Sequence, residues 1–324
     1  MKKLMVIPLV AAGMAAMVGC SKTPVKEAAK NDAINLANLD TAVAPGTDFY
    51  QYACGGWMKN NPLKPEYARF GTFDQLRDNN QEQIRTLIEG LSETPGQEGS
   101  VGQKIGMLFA MGMDSVKLNE DGYAPIKDQL AEINKLGTKD ELTKMVATLH
   151  KEGMAPFFAL YVGADEKNSS MNIVQLYQAG LGMRDRDYYL LEDESSQKMR
   201  EAYKNYITRL FTLIGSSPEQ ADAAVNAIMK IERGIAEVSF SREDLRDSQK
   251  NYNKMSIEDF KAKNDLLNWD VYFESMGMMD IKYLDAKQLS FYEGLSALMK
   301  NTTLDEQKYY LTFNLLSSAA PYLS

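Results

Sequence analysis

The spacing of apolar residues predicts helices along most of the chain. Apolar side chains recur at intervals of three and four from about residue 73 to 91 and from 101 to 113, and that period marks one face of a helix. Thr138, followed by Glu141, has the form of a capping box that opens another helix. Further helices are predicted at 123–136, 195–214, 218–240, 256–267 and 286–300, and one from about residue 305. The expected fold class is mainly α.

One segment follows a different period. Residues 157–162 and 172–178 are short runs rich in β-branched and aromatic side chains, and the polar stretch 163–170 separates them. Two such runs joined by a polar connection are typical of a β-hairpin. We therefore expect a small hairpin within the helical fold.

The last predicted helix is strongly apolar between residues 309 and 316 and lies close to Ser324. A finished helix normally ends in glycine or a polar cap followed by dispensable residues. The pattern favours a helix whose packing partners lie outside this chain. The alternative is that it docks on this same domain.

The first residues have the pattern of an export signal. Lys2 and Lys3 precede an apolar stretch, residues 4–18, which is too short to span a membrane but suits a signal-peptide core. The stretch ends at Gly19 and Cys20, and residues 17–20 resemble a bacterial lipobox, in which the cysteine is acylated. Residues 1–19 are thus predicted to be a lipoprotein signal peptide and 20–38 a flexible tether. The expected location is the periplasm or cell envelope, with a lipid on Cys20 as the membrane anchor; the alternative is an ordinary secretory signal.

Composition excludes several functional classes. Asp and Glu number 44 against 36 Lys and Arg, for a net charge of −8, so a nucleic-acid partner is not expected. One histidine and two cysteines are too few for a structural zinc site or a disulfide scaffold. His150 lies at the end of an amphipathic helix without a nucleophile motif, and we expect a structural or exposed role. No metal ligands are predicted in this chain.

Four sequence blocks carry a family resemblance. Residues 48–57, DFYQYACGGW, are followed by 69–78, RFGTFDQLRD, then by 180–190, GLGMRDRDYYL, and by Arg246-Asp247 with YNKM at 252–255. In this order they resemble blocks of the neprilysin and endothelin-converting-enzyme family of zinc metallopeptidases, which includes bacterial endopeptidase O. The third block is similar to the family's G-L-G-L-P-x-R-D-Y-Y-L. The resemblance implies a helical N-terminal lobe that faces a zinc-bearing catalytic lobe and encloses oligopeptide substrates.

The family's catalytic motifs do not occur in this chain. It has no H-E-x-x-H, no downstream E-x-x-x-D block and no N-A-Y-Y-like strand, all of which lie in the second half of family members. The resemblance therefore implies that residues 39–324 are the N-terminal helical domain, with the catalytic lobe absent and the zinc and general base supplied beyond Ser324. This chain alone is predicted to be inactive. The alternative is a noncatalytic, lipid-anchored peptide-binding or interaction module.

The same resemblance supplies the candidate site residues. The arginine and aspartate of the second block fall on Arg69 and Asp74, which implies a place near the substrate's C-terminal end. The planar guanidinium of arginine can bind a terminal carboxylate through two hydrogen bonds. The alternative is that Arg69 and Asp74 cap and pair at the start of the following helix. The cysteine that pairs with the first block in animal members has no counterpart here, so Cys54 is predicted to be a free, mostly buried thiol.

Overall fold

The computed structural model describes residues 34–65, 67 and 69–323. Most of this part of the chain is helical, which confirms the mainly α class. The α-helices are α1 (Phe49–Asn60), α2 (Thr72–Glu93), α3 (Val101–Met113), α4 (Ser115–Asp121), α5 (Lys127–Lys135), α6 (Lys139–Lys151), α7 (Asp187–Leu190), α8 (Glu194–Leu213), α9 (Pro218–Val238), α10 (Ile257–Lys263), α11 (Trp269–Met276), α12 (Leu289–Lys300) and α13 (Leu304–Ala319). The strands are β1 (Phe158–Asp165), β2 (Asn168–Gln178), β3 (Lys254–Ser256) and β4 (Tyr283–Ala286), and 3-10 helices occupy Leu36–Asn38, Ala124–Ile126, Asp244–Arg246 and Ala320–Tyr322.

The predicted signal peptide and Cys20 lie outside the described residues, as does most of the tether. Among the helices that are described, none has the length and apolar character needed to cross a membrane. The chain divides into two compact units, Met1–Gly106 and Met107–Ser324, and α3 runs across the division.

The first unit contains α1 and α2. The 3-10 helix at Leu36–Asn38 packs on α1, and a Cβ placed on Gly56 would lie 2.4 Å from the carbonyl oxygen of Ala37. This close approach explains why glycine stands before Trp57 in the first sequence block. Cys54 in α1 has no disulfide partner among the described residues and is mostly buried, as predicted.

The second unit is built around a small four-stranded sheet of order β1-β2-β4-β3. β1 and β2 form the predicted antiparallel hairpin, and Val174 to Leu176 pair in parallel with Leu284 to Ala286. β3 pairs with β4 in the antiparallel sense. The sequence analysis missed β3 and β4, which are three and four residues long. The predicted Thr138 capping box is confirmed at the start of α6, where Thr138 accepts from the Glu141 N–H and Glu141 accepts from the Thr138 N–H.

The tip of the hairpin is fastened to the rest of the sheet by a buried carboxylate. Asp165 is 1% exposed and accepts hydrogen bonds from Lys254 Nζ at 2.7 Å, from the Tyr252 hydroxyl at 2.9 Å and from the Lys167 N–H at 2.9 Å. Tyr252 and Lys254 belong to the fourth sequence block. That block therefore stabilises the hairpin tip through two side-chain hydrogen bonds to Asp165.

α13 corrects the expectation drawn from its apolar sequence. It packs on α5, α8 and α9 of the same unit, and Tyr310, Leu311 and Leu316 are buried. The Tyr310 hydroxyl donates to the Gly180 carbonyl at 2.7 Å and accepts from the Phe157 N–H at 3.1 Å. The prediction that the partners of this helix lie outside the chain is wrong, because α5, α8 and α9 bury its apolar face.

Candidate functional site

The start of α2 holds the residues that the family resemblance singled out. Asp74 Oδ2 accepts from the Gly71 N–H at 3.0 Å, and Asp74 Oδ1 accepts from Arg77 Nη1 at 3.1 Å. The carboxylate thus satisfies an N–H at the helix start and pairs with the next helical turn. Asp74 therefore fixes the backbone at the point where the chain enters α2.

Arg69 lies two residues before Gly71 and is exposed. Within the described part of the chain, no hydrogen bond or ion pair engages its guanidinium, and Asp74 pairs with Arg77 instead. The structure places Arg69 and Asp74 on the same short segment without joining them. The peptide-binding role of Arg69 stays a prediction.

A second candidate site is a cavity of about 570 Å³ in the second unit. Its lining comes from the loop 180–186, the end of β2, the segment after α9 and the last turns of α13. This volume falls in the range of pockets that take small organic ligands. The loop belongs to the third sequence block, so part of that block lines a cavity.

Glu232 on α9 holds this loop in place. It is 1% exposed, and its carboxyl group accepts from the Tyr189 hydroxyl at 2.7 Å and from the Tyr203 hydroxyl at 2.8 and 2.9 Å. It also accepts from the Gly182 N–H at 3.3 Å, while Tyr189 accepts from the Met183 N–H at 2.9 Å. One buried carboxyl group therefore organises two consecutive backbone N–H groups of the loop.

Gly182 is required by this packing. A Cβ placed on Gly182 would lie 1.8 Å from the Tyr203 hydroxyl oxygen, so any other residue would displace the tyrosine. Burial raises the pKa of Glu232 to about 7, although the hydrogen bonds from Tyr189 and Tyr203 act in the opposite direction. Near neutral pH this carboxyl group is consequently protonated in part of the population.

Three arginines line the cavity, and two of them have partners. The Arg186 guanidinium donates to the Ser239 carbonyl, and the Arg242 guanidinium pairs with Asp185. Arg184 is exposed, and its guanidinium forms no hydrogen bond or ion pair with the described residues. Among these three arginines, Arg184 is the one whose guanidinium has no partner in the described part of the chain.

The sequence analysis did not identify Glu232 or the cavity. A signal was present, because Glu232 stands in the apolar stripe that Ile228, Ile231 and Ile235 form on α9. A charged residue at a core position needs internal partners. The partners themselves come from α7, α8 and the loop, which sequence spacing cannot bring together.

His150 has a structural role. Its Nε2 lies 3.1 Å from the Pro156 carbonyl oxygen and its Nδ1 lies 2.6 Å from the Tyr272 hydroxyl. Because a carbonyl oxygen only accepts, Nε2 carries the proton and Nδ1 accepts from Tyr272. Burial lowers the pKa of His150 to about 4. The neutral imidazole is therefore fully bonded, which leaves no nitrogen free to bind a metal or accept a catalytic proton.

The described residues contain no counterpart of the zinc-binding residues of the family that this chain resembles. Over residues 34–65, 67 and 69–323, no group of three or more His, Cys, Asp or Glu side chains could hold a metal ion. The chain has a single histidine, whereas the family's site uses two. The side chains in the part of the chain that the structure describes do not fit a catalytic zinc.

Comparison with known proteins decides the family. The model of peptidase family M13 matches residues 45–324. The chain belongs to peptidase family M13. It is 29% identical to endothelin-converting enzyme 1 of Mus musculus over 99% of this chain and 44% of the relative, and 29% identical to the Homo sapiens enzyme over 89% of this chain and 38% of the relative.

Solved structures share the fold of this M13 chain. The crystal structure of zinc metalloprotease Zmp1 of Mycobacterium tuberculosis in complex with an inhibitor superposes with a TM-score of 0.80 at 24% identity, over 90% of this chain and 44% of that chain. PepO from Lactobacillus rhamnosis gives a TM-score of 0.70 at 20% identity, over 87% of this chain and 44% of that chain. The chain spans less than half the length of the relatives that it matches. It corresponds to the N-terminal region of a neprilysin-type zinc metallopeptidase.

Proposed function

We propose that this chain is the N-terminal, substrate-enclosing lobe of an exported zinc metalloendopeptidase that hydrolyses oligopeptides. Membership in family M13 supports the reaction class. The zinc and the general base belong, in this proposal, to residues beyond Ser324, because His150 is the one histidine and both of its ring nitrogens are bonded. The part of the site that this lobe contributes is the recognition of the peptide.

The observation that carries the proposal is the exposed Arg69 guanidinium beside a rigid helix start. Arg69 has no internal partner in the described chain, while Asp74 is bonded to Gly71 and Arg77. In this proposal Arg69 binds the terminal carboxylate of the substrate through two charge-assisted hydrogen bonds. Asp74 positions the segment that carries Arg69.

The test is Arg69→Ala in the complete enzyme, assayed on one short peptide with a free C-terminus and on the same peptide amidated. A hydrogen bond to a charged group contributes roughly 1.5–3 kcal/mol, so kcat/KM for the free acid should fall by about ten- to a hundred-fold. The amide should change little, and the melting temperature should stay the same. Arg85→Ala is the matched control, because Arg85 is exposed on α2, which follows the segment that carries Arg69, and pairs with Glu82.

Equal losses on the acid and the amide would contradict the carboxylate-binding role. A lower melting temperature with both substrates affected would assign Arg69 to the helix start instead. Absence of chelator-sensitive peptidase activity in the complete protein would overturn the endopeptidase itself and favour a noncatalytic peptide-binding module.

The anchoring of the protein is a separate part of the proposal. We infer that Cys20 carries a lipid and attaches the protein to the cell envelope, and the support is the sequence pattern of residues 1–20. Metabolic labelling with a fatty acid should be lost in Cys20→Ser. Unchanged labelling in that variant would refute the anchor.

A further inference from the structure

The cavity in the second unit carries an arginine that the family pattern does not explain. Arg184 stands where the resembling motif G-L-G-L-P-x-R-D-Y-Y-L has its proline, whereas Arg186 falls on the motif's own arginine. At this position the chain departs from that motif, and the arginine side chain lines the cavity. A guanidinium on a cavity wall can bind an anionic group through charge-assisted hydrogen bonds.

The other charged groups of the cavity are already neutralised or bonded. Arg242 pairs with Asp185, Arg186 donates to the Ser239 carbonyl, and the Glu232 carboxyl group is occupied by two tyrosine hydroxyls. Arg186 keeps its positive charge, but its guanidinium is held by the Ser239 carbonyl, whereas Arg184 has no partner among the described residues. An anionic group entering the cavity would meet this guanidinium without having to break an existing ion pair.

The wall that carries Arg184 is held in a fixed position. Glu232 and Tyr189 bind the N–H groups of Gly182 and Met183, directly before Arg184. The Gly180 carbonyl accepts from Tyr310 on α13. A guanidinium on a backbone fixed at these points loses less freedom on binding than one on a mobile loop.

We propose that this cavity binds the carboxylate of a peptide through Arg184. The lining combines the hydroxyl groups of Ser317 and Ser318 with the aromatic side chains of Phe240 and Phe313, which suits a ligand that is polar along its backbone and partly apolar. The carboxylate belongs to either an acidic side chain or a chain terminus. The proposal rests on the proposed function only for the choice of a peptide as the carrier.

The experiment is a ligand-observed NMR titration of the purified protein with three capped tripeptides. Acetyl-Gly-Glu-Gly-amide has only a side-chain carboxylate, acetyl-Gly-Gln-Gly has only a terminal one, and acetyl-Gly-Gln-Gly-amide has neither. At least one acid should bind, and the uncharged peptide should bind about ten-fold more weakly or not at all. The acid that binds identifies the source of the carboxylate.

Arg184→Gln should weaken binding of that acid by about ten-fold, the effect of losing one charge-assisted hydrogen bond. Arg233→Gln is the matched control, because it removes the same charge from α9 at an exposed position paired with Glu237. It should leave the titration unchanged. Both variants should keep the melting temperature, since the described residues give Arg184 no internal bond.

Equal binding of the acidic and the uncharged peptides would overturn the proposal, as would equal losses in Arg184→Gln and Arg233→Gln. Arg69→Ala distinguishes this site from the proposed substrate site, since Arg69 lies in the first unit, and the part of the binding that Arg184→Gln removes should persist in Arg69→Ala. A hydrolytic defect in Arg69→Ala combined with no peptide binding at Arg184 would refute this inference and leave the proposed function standing.

Discussion

Asp165 and Glu232 are both buried carboxyl groups with three donors each, and their neighbours give them opposite charge behaviour. The donors to Asp165 include the ammonium group of Lys254, and this bond lowers the pKa of Asp165 to about 2. The donors to Glu232 are two tyrosine hydroxyls and one N–H, and burial raises its pKa to about 7. Each residue is 1% exposed, but desolvation is the main influence on the pKa of Glu232, whereas the bond from Lys254 is the main influence on the pKa of Asp165.

The two groups therefore affect stability in opposite pH ranges. The folded state holds Asp165 ionised, and its contribution is lost as pH falls from about 4 to about 2. The folded state holds a proton on Glu232, and its contribution is lost as pH rises from about 4.5 to about 7. Asp165 is a fixed anion at the hairpin tip near neutral pH, whereas Glu232 on the cavity wall gains and loses its proton in this range.

Removing the ammonium group of Lys254 should abolish the difference between the pKa shifts of Asp165 and Glu232. In Lys254→Met the Asp165 carboxylate keeps only neutral donors, so its pKa should rise and the acid unfolding transition should move to higher pH. At neutral pH a buried charge is left without its counter-ion, and we expect a larger drop in melting temperature than in any variant below. Thermal unfolding at several pH values measures both effects. Lys250→Met is the control, because it breaks the exposed pair with Asp244 and should change little; an equal drop there would contradict the role of Lys254.

Glu232→Gln should remove the loss of stability that Glu232 causes between acid and neutral pH. The amide has nearly the same shape but no proton to release, whereas the lowered pKa of His150 acts in the opposite direction in both proteins. Between pH 5 and 8 the free energy of unfolding of the variant should therefore rise relative to that of the unsubstituted protein by an amount of the order of 3 kcal/mol, from the shift of the Glu232 pKa to about 7. Urea unfolding against pH gives the profile. Glu237→Gln, exposed on the same helix, should retain the full slope; parallel profiles for both variants would disprove the assignment to Glu232.

Tyr203→Phe tests the same comparison between Asp165 and Glu232, and among these variants it should have the smallest effect on stability. It removes a hydroxyl that donates to Glu232, so the pKa of Glu232 should rise further and stability should fall by about 1–2 kcal/mol at neutral pH. Tyr206→Phe controls for the change on the same helix, since its hydroxyl contacts only Ser317 at 3.3 Å among the described residues. If both variants lost the same stability, the bond to Glu232 would contribute nothing specific.

Local signals in the sequence predicted much of the fold. The helical period of α9, the capping box of Thr138 and the β-branched and aromatic runs of the hairpin are patterns of residues close in sequence, and the structure has all three elements. The family blocks predicted the mainly α lobe, and the match to family M13 confirms the assignment.

Features that depend on distant residues were not predictable in this way. β3 and β4 are too short to show a period, and they exist because they pair with each other and with β2. The burial of Tyr310 depends on Gly180 and Phe157, and the cavity depends on a glutamate whose partners lie on three other segments. At the start of α2, the sequence could place Asp74 in the first helical turn but could not tell that Arg77 would be its partner.

The position of β2 at the middle of the sheet governs the order in which the second unit can assemble on a ribosome. Its hairpin partner β1 directly precedes it, but the bond between Gln178 and Gln288 at the other edge joins residues 110 positions apart. At a synthesis rate of about 5–20 residues per second, one edge of β2 stays unpaired for roughly 5–20 s after it emerges. An unpaired strand edge is a template for association with other chains. The parallel pairing of β2 with β4 therefore leaves the nascent chain with an unpaired strand edge during that interval.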